Sequence, residues 1–343
     1  MGKVKFSLSL VAVIALIAAV VGVVAGRASG GSGGGGGSGN GGKVSGKKVD
    51  VIIKASDSSF WQAMLAGAKK AGGDYGVEVG LFGPTSETDV NQQVQLIENS
   101  ISRGADAIVL APNSSEALNA GIKRARQQGV KVIVADTKVT TDTEGFIGTD
   151  NVKAGEQAGQ HLCQLVKAQG KSSGDVMIES SVAGIQTIKD RDTGFKQGLA
   201  KDCPGVKATT QRFNNNDINT AASQVNDALT ANPDLLGVFA DNNTSGVGAA
   251  RAIKDNNAAD TIPVVAFDTD PQENAALKDG SIDALVVQNP YFFGYQGVIE
   301  AGMASVGTAP PPNLDPGAVV ADKTNMNTDA VKQLLNPPTA KAG

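Results

Sequence analysis

Short runs rich in valine and isoleucine recur along this chain at near-regular intervals, and no other feature narrows its possible folds as much. They are "VDVIIK", "VEVGLF", "ADAIVLA" and "VKVIVAD", then "GDVMIES", "LLGVFAD", "IPVVAFD" and "DALVVQ". Between them lie stretches of helical period such as "DVNQQVQLIENSISRG", "SSEALNAGIKRARQQG" and "TAASQVNDALTANP". Stop signals end these stretches at Gly73, Gly104, Gly129, Gly170 and Gly280, and at Asn232-Pro233. Strands that are apolar throughout and alternate with helices predict parallel sheets covered on both faces. A closed eight-fold barrel and two open, doubly wound domains both satisfy that pattern. After "VIVAD", however, comes the irregular stretch "TKVTTDTEGFIGTDNVKAGEQAG", with a short extra strand at "GFIGTD". A barrel has no need of that interruption. Two domains joined by a crossover near Thr149-Asp150 do.

The ends of the chain read differently. Lys3 and Lys5 precede an almost unbroken apolar run from Phe6 to Gly26, followed by small-residue patterns at Val23-Val24-Ala25 and Gly26-Arg27-Ala28. Residues 1–28 are expected to be a secretory signal. The run is about 20 residues, long enough to cross a bilayer, so an uncleaved anchor is the competing expectation. No cysteine stands near its end, which argues against a lipid anchor. Both alternatives export the rest of the chain, to the periplasm or the extracytoplasmic face of a membrane. Residues 29–46, including "GGSGGGGGSGNGG", cannot bury a core and are expected to be a flexible linker. Residues 337–343 are expected to be a disordered tail. The nearly 300 residues between suffice for one large or two ordinary domains.

Composition removes several function classes. A formal net charge of −4 without a basic cluster argues against nucleic acid as partner. One histidine and two cysteines exclude His/Cys zinc sites and make histidine-based catalysis improbable. No cofactor or metal is expected. His161 lies in the helical run "GEQAGQHLCQLVKAQG" and reads as a surface or boundary residue. In an exported protein, Cys163 and Cys203 suggest one disulfide, with two buried thiols as the alternative.

Open α/β sheets bind ligands outside the carboxyl ends of their strands. There this sequence places Lys54 to Trp61 after the first run and Asp136-Thr137 after the fourth. The second half places Asp241-Asn242-Asn243, Asp268 and Gln288-Asn289 at such ends. Any one Asp or Asn there could be a helix cap. The set, together with the adjacent aromatics Phe60 and Trp61, reads better as a binding site.

Several phrases in order then carry a family resemblance: "SSFWQAMLAGAKKAG", "NSISRGADAIVLAPNSSEAL", "GTDNVKAGEQAG", "DRDTGF", "TANPDLLGVFADNNTSGVGAARAI", "VVAFDTDP" and "KDGSIDALVVQNPYFFGYQGV". From about Val49 to Asn325 the sequence resembles the ribose/galactose/arabinose-type solute-binding proteins of bacterial sugar ABC transporters, the type I periplasmic binding protein fold. The resemblance implies an α/β architecture of two Rossmann-like, doubly wound parallel-sheet lobes joined by a three-crossover hinge. The crossovers would fall near Thr149-Asp150, Gln288-Asn289 and Asp315. The N-terminal lobe would comprise residues 47–149 plus 289–315, and the C-terminal lobe residues 150–288 plus 316–336.

It also implies ligand-binding roles. Phe60 and Trp61 occupy positions where family members stack rings on a sugar. Asp136, Arg191, Asn242, Asp268 and Gln288 match polar positions around the hydroxyl rim. Asp57 and Ser58 fall on first-turn polar positions, and Lys54 stands where arabinose-binding relatives place a lysine. Two departures are visible: Thr137 replaces the arginine of ribose binders, and Asn216 replaces a further aromatic. They argue against ribose itself, and they leave Phe60 and Trp61 as the stacking platform. The acids outnumber Lys54 and Arg191, which favours a neutral sugar or polyol over a sugar acid or phosphate.

The mechanism implied is closure of the lobes on the ligand and delivery to ABC permease subunits, by a monomer without covalent chemistry. A sugar-signal receptor feeding a chemotaxis or sensor-kinase system is the alternative. A repressor of related core would carry a helix-turn-helix where this chain has its apolar and glycine-rich start. A glycosidase could use a pair such as Asp268/Asp270, but the binding-protein resemblance accounts for Asp268 without catalysis.

Overall fold

The computed structural model describes residues 44–343. The expected signal segment and most of the glycine linker lie outside the described residues. Among the described residues, no helix is long and apolar enough to cross a membrane.

The first half builds one parallel sheet. Its strands are β1 (Lys48–Ile52), β2 (Glu78–Phe82), β3 (Ala107–Leu110), β4 (Lys131–Ala135) and β5 (Gly145–Ile147), in the order β2-β1-β3-β4-β5. The helices between them are α1 (Ser59–Tyr75), α2 (Val90–Ser102) and α3 (Asn119–Gln127). Every residue of β3 is buried, as its continuous apolar sequence requires when helices cover both faces. The second half builds a six-stranded sheet in the order β11-β10-β9-β8-β6-β7. Its strands are β6 (Gly174–Ser180), β7 (Val206–Phe213), β8 (Val238–Ala240), β9 (Val264–Phe267), β10 (Ala284–Val287) and β11 (Val319–Asp322). It carries α4 (Asn151–Ala168), α5 (Gln186–Asp202), α6 (Ile218–Ala231), α7 (Asn243–Asp255), α8 (Pro271–Asp279) and α10 (Asp329–Leu335). One helix, α9 (Pro290–Ser305), returns to the first lobe and packs on α1.

The chain therefore passes between the lobes three times. It leaves β5 for α4 through Gly148–Asp150, returns from β10 to α9 through Gln288-Asn289, and leaves again before β11. Leu314 forms a bridge with Ile147 before that last passage, which pins the third segment to the edge of the first sheet.

Strands β7 and β11 are absent from the eight apolar runs. β7 is an edge strand whose second half is largely exposed, and β11 pairs antiparallel at the opposite edge with most residues half-buried. Edge strands with one wet face do not read as continuous apolar runs. The terminal segments also differ from expectation. Residues 337–343 are not a loose tail: the Ala340 N–H donates to the Gln62 carbonyl at 2.9 Å, and the Gly343 N–H to the Leu81 carbonyl at 3.0 Å. Ala340 and Ala342 add apolar contact against the first lobe. Likewise, Val44 at the end of the linker packs on that core, and the Gly46 N–H bonds the Gly76 carbonyl. Two alanines and two backbone hydrogen bonds are a weak signal in sequence.

Close approach of backbones fixes the helix pair that enters the second lobe. A Cβ at Gly155 or Gly159 of α4 would strike the carbonyl oxygens of Arg191 or Phe195 on α5, and one at Gly194 or Gly198 would strike those of Val152 or Glu156. Glycine is required at this contact for lack of space. The far ends of the same helices are joined by the Cys163–Cys203 disulfide, with Cα atoms 5.8 Å apart. The bond closes a loop spanning 40 residues of sequence, worth about 4 kcal/mol in the chain-entropy account. Reduction should therefore lower the urea midpoint of the protein by an amount matching several kcal/mol. An unchanged midpoint after reduction would contradict this.

Candidate functional site

The carboxyl ends of the two sheets face one another across a cleft. From the first lobe come Lys54, Ser58, Phe60 and Trp61, at the turn between β1 and α1, with Asp136 after β4. From the second lobe come Arg191 on α5, Asn242 at the cap of α7 and Asp268 after β9. The turn after β1 answers to the strand-end rule: β1 is buried from Val49 to Ile52 and a short turn leads into α1, so side chains at the junction project beyond the sheet.

Both aspartates stand in the left-handed backbone region, with φ 63° at Asp136 and 76° at Asp268. Aspartate tolerates this conformation better than most residues. Each backbone N–H still extends the parallel ladder, Asp136 to the Ile147 carbonyl at 2.8 Å and Asp268 to that of Val286 at 2.9 Å. The same Asp-Thr pair thus ends the fourth strand of each lobe, with its carboxylate turned to the cleft.

The charges are paired before any ligand arrives. Lys54 Nζ donates to Asp136 Oδ2 at 2.6 Å and to Thr137 Oγ1 at 2.7 Å. Burial opposes a charge on Asp136, but Lys54 and Arg191, with hydrogen bonds from Lys54 and Thr137, hold its carboxyl below the usual range. Arg191 donates through Nε to Asn151 Oδ1 at 2.8 Å and through Nη1 to the Asp241 carbonyl at 2.7 Å. Its guanidinium lies 4.3 Å from the Phe267 ring centre and 3.7 Å from Asp268 Oδ2. Burial pushes the Asp268 carboxyl up, against the pull of Arg191 and a 2.6 Å hydrogen bond from Gln288 Nε2. Among the described residues, one Lys54 hydrogen, Arg191 Nη2 and Asp136 Oδ1 make no hydrogen bond, which leaves both donors and acceptors for a polyhydroxy ligand.

The apolar part is asymmetric. Phe60 and Trp61 meet edge to face, with centroids 4.7 Å apart, and Lys54 Nζ lies 5.2 Å from the Trp61 ring. The second lobe supplies no aromatic ring to the lining; Ile185 and Ile188 stand there instead.

Four expected residues lie elsewhere. Thr137 is fully buried behind Asp136 and bonds it at 2.8 Å; it also lies 3.4 Å from Thr187 Oγ1 of the other lobe. Gln288 sits behind Asp268 in the same way. Asn216 accepts from Asn242 Nδ2 at 2.8 Å and does not line the cleft, while Asn242 also caps α7 through Ser245. Asp57 is exposed on a groove at the mouth, shared with Asn216. Asn243, placed at a strand end by the sequence, lines the cleft too, and sequence reading missed Glu87, Ser181, Ile185, Thr187 and Ile188, which also line it. Glu87 and Ser181 follow β2 and β6, so the strand-end rule applied to those strands would have found them. Ile185 and Ile188 carry no such signal, because an apolar residue beside a helix start reads as core.

Residues 49–307 match the model of a family described as the periplasmic binding protein domain. The chain belongs to that family. Among its relatives is the ribose import binding protein of Salmonella typhimurium, 28% identical over 252 residues that cover 73% of this chain and 82% of the relative. The D-allose-binding periplasmic protein of Escherichia coli is 27% identical, covering 72% and 81%. A carbohydrate transporter solute binding protein from Agrobacterium radiobacter, solved in complex with D-arabinose, superposes with a TM-score of 0.82. It is 35% identical, with 84% of this chain and 99% of that one covered. An ABC transporter solute binding protein from Agrobacterium vitis with bound D-fucose gives 0.80 and 30%, covering 84% and 100%. Membership in the periplasmic binding protein family agrees with the two α/β lobes and three crossings described above.

Proposed function

We propose that this chain is an extracytoplasmic solute-binding protein that captures a neutral monosaccharide or polyol between its lobes and delivers it to an ABC permease. One observation carries the reading: an aromatic pair adjoins a ring of hydrogen-bonding groups whose charges are already matched in pairs. A sugar needs both, an apolar face for its C–H groups and paired donors and acceptors for its hydroxyls. Relatives named for ribose and allose, and neighbours holding arabinose and fucose, support it. Closure would bring donors of both lobes onto one ligand, so the ligand stabilises the closed form. The protein acts as an exported monomer, held near the membrane by its N-terminal segment if that segment is retained. It performs no chemistry on the sugar.

Isothermal titration calorimetry against pentoses, hexoses, polyols and sugar acids tests this. A neutral compound should bind at micromolar affinity or tighter and be recovered unchanged. A response confined to sugar acids, or conversion of the bound sugar, would contradict the reading.

A further inference from the structure

Glu87 lies in the loop between β2 and α2, beside the β1 turn that supplies Lys54 and Trp61. Its Oε1 accepts from the Trp61 indole Nε1–H at 2.5 Å. Trp61 is 4% exposed, and that N–H is its only polar atom. The hydrogen bond therefore fixes the rotation of the larger of the two rings that can stack on a ligand, with Phe60 against it and Lys54 over it. Glu87 also lines the cleft, and its Oε2 makes no hydrogen bond among the described residues. Burial raises this carboxyl above its usual range, against Lys54 and the Trp61 hydrogen bond, so a further donor there would be stabilising.

We propose that Glu87 is a specificity-determining residue, orienting Trp61 with one carboxyl oxygen and accepting a ligand hydroxyl with the other. This rests on the sugar-binding reading. A hydroxyl aimed at Oε2 at the edge of the stacked ring is favoured, whereas the epimer that turns it away covers this half-buried acceptor and leaves it unpaired. Sites built this way separate such analogues strongly.

The experiment uses the full chain, its Glu87→Gln and Glu87→Ala variants, and pairs of epimeric sugars. Affinities are read by calorimetry, and the environment of Trp61, the only tryptophan, by its emission. Glu87→Gln keeps an oxygen for the indole while the other oxygen becomes an amide donor. It should leave the unliganded emission in place and change the affinity ratio between at least one epimer pair by about tenfold or more. Glu87→Ala should shift the emission as well. Wild-type epimer ratios retained within about twofold in both variants would overturn the inference and leave the sugar-binding reading intact. A wild-type chain that binds nothing in the panel overturns both. Should the alanine variant not fold, the glutamine variant alone decides.

Discussion

Replacing Arg191 by alanine is expected to weaken sugar binding by at least about 100-fold, the effect of removing a buried charged donor. Arg191 is 4% exposed, and three partners converge on it: Asn151, the Asp241 carbonyl and Asp268. Its fourth contact is the Phe267 ring. Among the described residues Nη2 meets no hydrogen-bond acceptor, so the ligand loses the Nη2 donors directly. Stability should fall too. Breaking a buried ion pair by deleting one member costs on the order of 3–5 kcal/mol, because the other charge is left uncompensated. Here Asp268 is that member, and its carboxyl, already raised by burial, would rise further. Arg191→Lys should lie between, keeping the charge without the planar fork. Calorimetry and urea unfolding read the two effects separately. An alanine variant with wild-type affinity would place the ligand away from the second lobe.

The second large effect is a loss of stability as the pH rises. Glu179, in β6, is fully buried, with Oε1 bonded to Asn214 at 2.9 Å and Oε2 unpartnered. Burial raises its carboxyl from 4.5 to about 8, against the hydrogen bond from Asn214 and the charge of Arg212. Glu300, on α9, is raised by burial to about 7. Asp192 is raised to about 6, also chiefly by burial. Burial likewise raises Glu273, whose carboxyl oxygens both lack partners. In each case the folded state holds a proton that the unfolded state has released above its ordinary value. Between that value and the folded one, folding takes up protons, so stability falls as pH rises. The window opens near 4.5 and closes near 8 for Glu179. The aspartates lowered in the folded state, Asp136 among them, lose their contribution only at more acid pH, and His161, lowered by burial from 6.5, opposes the trend only below that value. Urea unfolding should therefore show a protein several kcal/mol less stable at about pH 8.5 than at about pH 5.5. Glu179→Gln should flatten much of that slope. A protein equally stable at both, or more stable at the alkaline one, would contradict the burial of these acids as neutral groups.

Strand runs and strand ends were legible because they are written in local composition. Buried parallel strands must be apolar throughout, and the residues that follow them must face the cleft. That logic brings Lys54, Phe60, Trp61, Asp136 and Asp268 to one place from the sequence. It could not tell which polar residue faces the ligand and which stands behind another. Thr137, Gln288 and Asn216 hold Asp136, Asp268 and Asn242, and the distinction depends on side-chain direction at a left-handed turn, which sequence spacing does not encode. The recurrence of Asp-Thr with positive φ after the fourth strand of each lobe was also hidden, since either pair alone reads as a helix cap. Edge strands β7 and β11 and the docked C-terminal residues escaped for a simpler reason. They are held by few apolar contacts and by backbone hydrogen bonds that any residue can make.

Whether a sugar lies against the first-lobe aromatics within this cleft can be read by titrating Trp61 fluorescence with the compound that calorimetry identifies. Trp61 is the only tryptophan in the chain. A saturable change in emission is expected, its midpoint equal to the calorimetric dissociation constant. Heat of binding accompanied by unchanged Trp61 emission would contradict it.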